Sequence, residues 1–154
     1  MTLAEMKRWM RKALQEAEAA AKEGEAPVGA VLLLRNGQSF AAHNATRRLS
    51  DPTAHAEMLA LRAAARATGN ERLLGAFLFV TIEPCCMCAG AIVQARIAHL
   101  IYAAPEPKTG AVESRFCLLA DPRHNHRLRI TAGVLEDEAR QLMQRFFAAR
   151  RGTR

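Results

Sequence analysis

Three of the four cysteines of this chain fall within four residues, Pro84-Cys85-Cys86-Met87-Cys88, and this crowding constrains the fold more than any other feature. A disulfide framework spreads its cysteines along the chain. Cysteines gathered together, in a sequence without an export-type leader, point instead to a bound metal or a redox pair. The stretch 1–12 has neither an apolar h-region nor a cleavage site, and no apolar run approaches the roughly 20 residues that a bilayer requires, so no membrane partner is expected and the expected compartment is the cytoplasm. The 154 residues suit a single domain, 1–154, large enough to bury its own core around such a site.

The elements that would carry the site can be read from periodicity and punctuation. Thr2 with Glu5 forms a capping-box pattern, and Leu3, Met6, Met10, Leu14, Ala17 and Ala21 continue at helical spacing until Gly24. Residues 28–34 read as a buried strand, Asn36-Gly37 as a hairpin turn and 38–43 as the returning strand. Asp51-Pro52 has the form of a cap followed by proline at the first helical position, which predicts a helix from there to about Arg66. A strand is expected over 76–82, a helix opened by Pro84 and carrying 85–95, and a strand over 98–103. Two prolines make 105–110 a loop. Residues 114–119 suggest a short helix and 128–134 a strand. A basic helix at about 135–151 closes the chain, with Leu142, Phe146 and Phe147 on its apolar side. Helices alternating with strands after an opening hairpin predict an α/β fold, a three-layer α/β/α sandwich around a mixed five-stranded sheet.

Two segments carry chemistry: His55-Ala56-Glu57 and Pro84-Cys85-Cys86-Met87-Cys88, each at an expected helix start. Cys85 and Cys88 are three apart, so on a helix they share a face, and the positive end of the helix favours thiolate over thiol. Two thiolates and one imidazole make a three-ligand zinc site, and a catalytic site keeps its fourth position open for water. His55 is the best third ligand. Glu57 supplies a carboxylate that can take a proton from that water and return it to a leaving group. His55 and Glu57 stand about 200° apart around a helix, and only at a helix start can both reach one pocket. Taken singly, the Cys-x-x-Cys pair also suits a redox site, and His55 and Glu57 also suit ordinary capping and first-turn positions. Cys86 points about 100° away from Cys85 and is expected to be packed, Cys117 to be core, and His43, His99, His124 and His126 to stand outside the metal site.

These segments match the His-x-Glu and Pro-Cys-x-x-Cys pattern of the zinc nucleobase deaminases, a superfamily with the cytidine deaminase-like fold. Within it the chain more closely resembles the bacterial tRNA-specific adenosine deaminases over nearly its whole length. The matching blocks are residues 25–30, Asn44, 51–57, 81–85, 88–91, 108–111 and 125–127. The resemblance implies one Zn2+ per subunit on His55, Cys85 and Cys88, with zinc-activated hydroxide as the nucleophile and Glu57 as general acid and base. It implies hydrolytic deamination of adenosine to inosine at the wobble position of a tRNA anticodon, usually in an arginine tRNA, by a homodimer. Asn44 would hydrogen-bond the extruded nucleotide, and Val28 and Ala56 would wall the base pocket. Where the family usually has Arg-Asp before its Lys-Thr-Gly loop, this chain has Pro105-Glu106. Deamination of a free base or nucleoside (guanine or cytosine) and a non-catalytic zinc and RNA-binding role remain as alternatives.

The charge agrees with an RNA partner. A net charge of +7 suits a polyanion, and the cations cluster: Lys7, Arg8, Arg11 and Lys12; Arg47 and Arg48; Arg145, Arg150, Arg151 and Arg154. Arg47, Arg48, Lys108, Arg145, Arg150 and Arg151 are the candidate RNA contacts on an anticodon stem-loop, and Phe147 the candidate base-stacking ring.

Overall fold

The computed structural model describes residues 1–151, so Arg154 and the last residues of the expected 1–154 domain lie outside the described residues. The order is α1 (Leu3–Lys22), β1 (Gly29–Leu33), β2 (Ser39–His43), α2 (Ala56–Thr68), β3 (Phe77–Ile82), α3 (Cys86–Gln94), β4 (His99–Ala104), β5 (Arg129–Ala132) and α4 (Glu136–Arg151). The strands form one mixed sheet in the order β2-β1-β3-β4-β5. β1 pairs antiparallel with β2 and with β3, whereas β3–β4 and β4–β5 are parallel.

Alternation along the central strands splits the apolar residues between two cores. Ala30, Leu32, Leu78, Val80, Leu100 and Tyr102 meet α2 and α3 through Ala60, Ala64, Ala89 and Ile92. Val31, Phe79, Ile101 and Ala103 meet α1 and α4 through Met10, Ala13 and Ala139. The result is the three-layer α/β/α arrangement. The opening helix is fixed by the Thr2–Glu5 capping box. Its close approach to the sheet depends on Gly29, where a methyl group would fall 1.9 Å from the Ala13 carbonyl oxygen. Among the described residues no helix is long and apolar enough to cross a membrane.

Two expected elements differ. Asp51-Pro52 does not start α2. The Asp51 carboxylate accepts from the Thr53 N–H at 2.8 Å and the Thr53 hydroxyl at 2.7 Å, closing a local turn, and the helix begins only after His55. Residues 114–119 form no helix, because the N–H groups of Val112, Glu113 and Ser114 bond the distant Glu83 carboxylate and hold the chain in turns. Cys86 and Cys117 are exposed, not packed. Cys86 sits in the first turn of α3 facing away from the core, and Cys117 lies on the turn-rich segment that replaces the expected helix.

Candidate active site and metal centre

The two chemical segments meet because α2 and α3, both on one face of the sheet, start at the same end of the molecule. His55 is the N-cap of α2 and Cys85 the N-cap of α3, each with extended backbone and neither using its side chain to cap the helix. Those side chains turn to each other instead. His55 Nδ1 lies 3.6 Å from Cys85 Sγ and 3.5 Å from Cys88 Sγ, and the three ligand atoms lie within 4.8 Å of one another. Cys85 thus precedes the helix rather than sharing a helical face with Cys88, and it reaches the same point from the cap position.

Those distances suit zinc. With Zn–N near 2.0 Å and Zn–S near 2.3 Å, a tetrahedral ion places nitrogen and sulfur ligands about 3.6 Å apart. All four cysteines are free thiols. The three groups compete for protons. The Cys88 thiol and backbone N–H donate to Cys85, and with the neighbouring His55 they outweigh burial and hold Cys85 down to about 3. The bond to Cys85, followed by burial, pushes the Cys88 thiol up. His55 is raised, first by its bond to Cys85. A dication would relieve this competition by letting both sulfurs ionise. Among the described residues His43, His99, His124 and His126 are engaged elsewhere. They pair with Glu16 and Glu23, Thr131, the Leu118 carbonyl and the Ile97 carbonyl respectively.

A cavity of about 340 Å³ opens beside the triangle, and among the residues lining it are Val28, Asn44, His55, Ala56, Glu57 and Cys85. Glu57 is only 3% exposed, and burial raises its carboxyl above the usual carboxylate value. Its Oε1 is buried with no hydrogen-bond partner. An orphaned oxygen of this kind costs stability unless a group in the site satisfies it, and this one borders the cavity. Asn44 follows β2, its N–H bonded to the Val28 carbonyl at 3.0 Å, and its Nδ2 makes only a long 3.5 Å contact with Thr46 Oγ1. The amide can therefore turn to a ligand.

The expected RNA-facing residues divide. Phe147, 42% exposed, reaches the cavity with Met143 from α4. Phe146 packs edge-on against it at 5.3 Å, and the Arg150 guanidinium lies 5.1 Å from the Phe146 ring centre. Arg47, Arg48 and Lys108 are exposed beside the lining residues Thr46 and Thr109, while Arg145 faces a separate hollow between α1 and α4. Glu106 forms a local turn, its carboxylate accepting the Lys108 N–H at 3.0 Å. Two further buried carboxylates of the site region, Glu25 and Glu83, fall inside the matching blocks 25–30 and 81–85, but nothing in their residue type or spacing assigns them a role. Glu25 accepts the N–H groups of Arg47 and Arg48. Glu83 is surrounded by donors from 106–114.

The model of the cytidine and deoxycytidylate deaminase zinc-binding region matches residues 3–104. The chain is 49% identical over 146 residues to the tRNA-specific adenosine deaminase of Haemophilus influenzae, covering 92% of this chain and 83% of that protein. It is 44% identical to the one from Agrobacterium fabrum, covering 97% and 98%. It superposes with a TM-score of 0.84 and 46% identity on a structure from studies of A-to-I editing by tRNA:A34 deaminases at the wobble position of transfer RNA, covering 88% of this chain and 98% of that one.

Proposed function

The chain belongs to the cytidine and deoxycytidylate deaminase family of zinc-binding proteins, and from that premise we propose that it hydrolyses adenosine to inosine at the wobble position of a tRNA anticodon. Relatives 49% and 44% identical to it over nearly its full length are tRNA-specific adenosine deaminases, and the basic charge of the chain suits such a substrate. His55, Cys85 and Cys88 hold the zinc. When bound there, the ion supplies the Lewis acidity that makes a water molecule ionise near neutral pH.

The remaining work falls to side chains of this chain. Glu57 Oε1 takes a proton from the attacking water as oxygen bonds to C6 of adenine, and delivers a proton to the amino nitrogen, so that the C–N bond breaks and ammonia leaves. Asn44 hydrogen-bonds the extruded nucleotide. Val28 and Ala56 form apolar walls, and Phe147 offers a ring for stacking. Arg47, Arg48, Lys108, Arg150 and Arg151 contact phosphates of the stem-loop. The substrate is an arginine tRNA, the protein works in the cytoplasm as a homodimer, and the whole chain forms one deaminase unit closed by α4.

What carries this reading is one cavity that reaches both an unsatisfied buried carboxylate oxygen and, through His55 and Cys85, a three-ligand metal triangle. The test is incubation of the zinc-loaded protein with an anticodon stem-loop bearing adenosine at the wobble position, and separately with guanine and cytosine. Inosine in the stem-loop is expected. Ammonia from a free base alone would move the protein to small substrates, and bound RNA without product would make it a binding subunit. Sedimentation at working concentration is expected to give the mass of two chains.

A further inference from the structure

Parallel strands such as β4 and β5 usually connect through a helix, yet residues 105–128 cross between them without one. Connections of this length without regular structure are uncommon, and their backbone N–H groups need acceptors from somewhere. Glu83 provides them. It is 3% exposed and sits between β3 and α3. Its Oε1 accepts the Glu106 N–H at 3.1 Å and the Ser114 hydroxyl, and its Oε2 accepts the N–H groups of Val112, Glu113 and Ser114 at 3.0, 2.8 and 3.0 Å. Gly110 packs directly on this carboxyl, since a methyl group there would lie within 2.6 Å of both Glu83 and the Glu106 carbonyl.

The same segment is tied to the metal-binding strand end. The Ala111 N–H bonds the Pro84 carbonyl at 2.8 Å, and Gly110 pairs with Cys85 in an isolated bridge. Just before these ties stand Glu106 and Thr109, both on the wall of the cavity, with the exposed Lys108 between them in the chain. The donors from 106–114 occupy both oxygens of the Glu83 carboxylate.

We propose that Glu83 is a positioning residue for the substrate: its carboxylate is the fixed anion around which 106–114 folds, and it sets where Thr109 and Lys108 stand against the nucleotide entering the cavity. This rests on the reading of the cavity as the deamination site. A carboxylate is required because five donors converge on two oxygens that only accept, and a glutamine would turn an NH2 group toward one set of donors.

The test uses the full, zinc-loaded chain and two variants, Glu83→Gln and the milder Ser114→Ala, which removes one donor and leaves the carboxylate in place. Amide exchange at Val112, Glu113 and Ser114, zinc content, and steady-state kinetics on the stem-loop are measured for each. In Glu83→Gln those amides exchange, and KM rises, by about tenfold, the effect of one lost charge-assisted hydrogen bond, while kcat and zinc content stay near wild type. Ser114→Ala shifts the same quantities less. Unchanged exchange and KM in both variants would overturn the proposal. So would a joint fall of kcat and zinc content at constant KM, which would make Glu83 a support of the metal site. Should the wild-type protein leave the stem-loop unmodified, the reading of the reaction fails instead, and the exchange rates alone still decide whether Glu83 anchors the segment.

Discussion

At the scale of single residues, a buried acid is informative only when its partners are counted. Glu25 and Glu83 are buried with both oxygens accepting hydrogen bonds, whereas Glu57 is buried with one oxygen unpaired. That difference is what the proposed proton-carrying role of Glu57 requires, and it gives a direct expectation for Glu57→Ala. The variant keeps its zinc, because the ion's ligands are His55, Cys85 and Cys88, and it loses roughly 10²–10⁴-fold in kcat, the range for a positioned acid and base. Metal analysis beside kinetics checks it, and a variant isolated without metal would make Glu57 structural. A second titratable residue answers to pH. Burial alone would lower His43, but its bonds to Glu16 at 2.6 Å and Glu23 at 3.0 Å win and raise it above its ordinary 6.5. A raised folded-state value means that the imidazolium stabilises the fold fully below the unfolded value and that this contribution fades as pH rises through the folded one. Thermal melts of wild type and His43→Gln are therefore expected to differ most near pH 6 and to converge above the folded value. A constant difference across pH would show that His43 acts by packing alone.

At the scale of elements, the two halves of the metal site were legible, because His55-x-Glu57 and Cys85-x-x-Cys88 each hold a short spacing beside an expected helix start. Their meeting across 30 residues is a tertiary fact, and in the sequence it rests on residue type, two thiolates and one imidazole making a three-ligand zinc site. The start of α2 was less legible. Asp51-Pro52 satisfies the local rules for a helix start, but Thr53 captures the Asp51 side chain and the helix waits for His55. The exposure of Cys86 and Cys117 was illegible for a related reason, since cysteine usually packs and only tertiary context places these two outside. Least legible were the loop anchors, whose partners lie 22 to 31 residues away in sequence. Glu25 shows the energetic weight of such an anchor. Replacing it by alanine strands the N–H groups of Arg47 and Arg48, part-buried donors at 3.0 and 3.1 Å from its oxygens. Glu25→Ala is expected to lose on the order of 1–3 kcal/mol in denaturant melts and to speed exchange at those two amides, while Glu25→Gln, which keeps one acceptor, loses less. Equal stability in all three proteins would mean that water replaces the carboxylate without penalty.

At the scale of the molecule, a net charge of +7 must be placed before it can explain RNA binding. Arg8 and Lys12 lie over the Trp9 ring at 5.8 and 4.3 Å, so part of the N-terminal cluster helps cover the α1 face of the core. Arg145 shares its hollow with Glu18 and Glu138. Two groups stand beside the cavity: Arg47 with Arg48 next to Thr46, and the end of α4, where Arg150 and Arg151 follow Phe147. In the first pair the backbone N–H groups are held by Glu25 whatever the side chains are, so Arg47→Ala with Arg48→Ala keeps that anchor while removing two charges and the Arg48–Glu23 ion pair at 3.6 Å. Removing one cation from a phosphate lowers the slope of log K against log salt by about 0.7–0.9. Either double variant, Arg47→Ala/Arg48→Ala or Arg150→Ala/Arg151→Ala, is therefore expected to flatten the slope for tRNA by roughly 1.5 if both members touch the backbone. Because these cations position the RNA and leave the chemistry to the cavity, kcat at saturating tRNA should stay close to wild type while KM rises. Binding titrations across a salt series decide the matter. A flattened slope for one pair only would assign the anticodon stem to that side of the cavity. Wild-type slopes for both would put the RNA on another face, and Phe147 would then have no strand beside it to stack against.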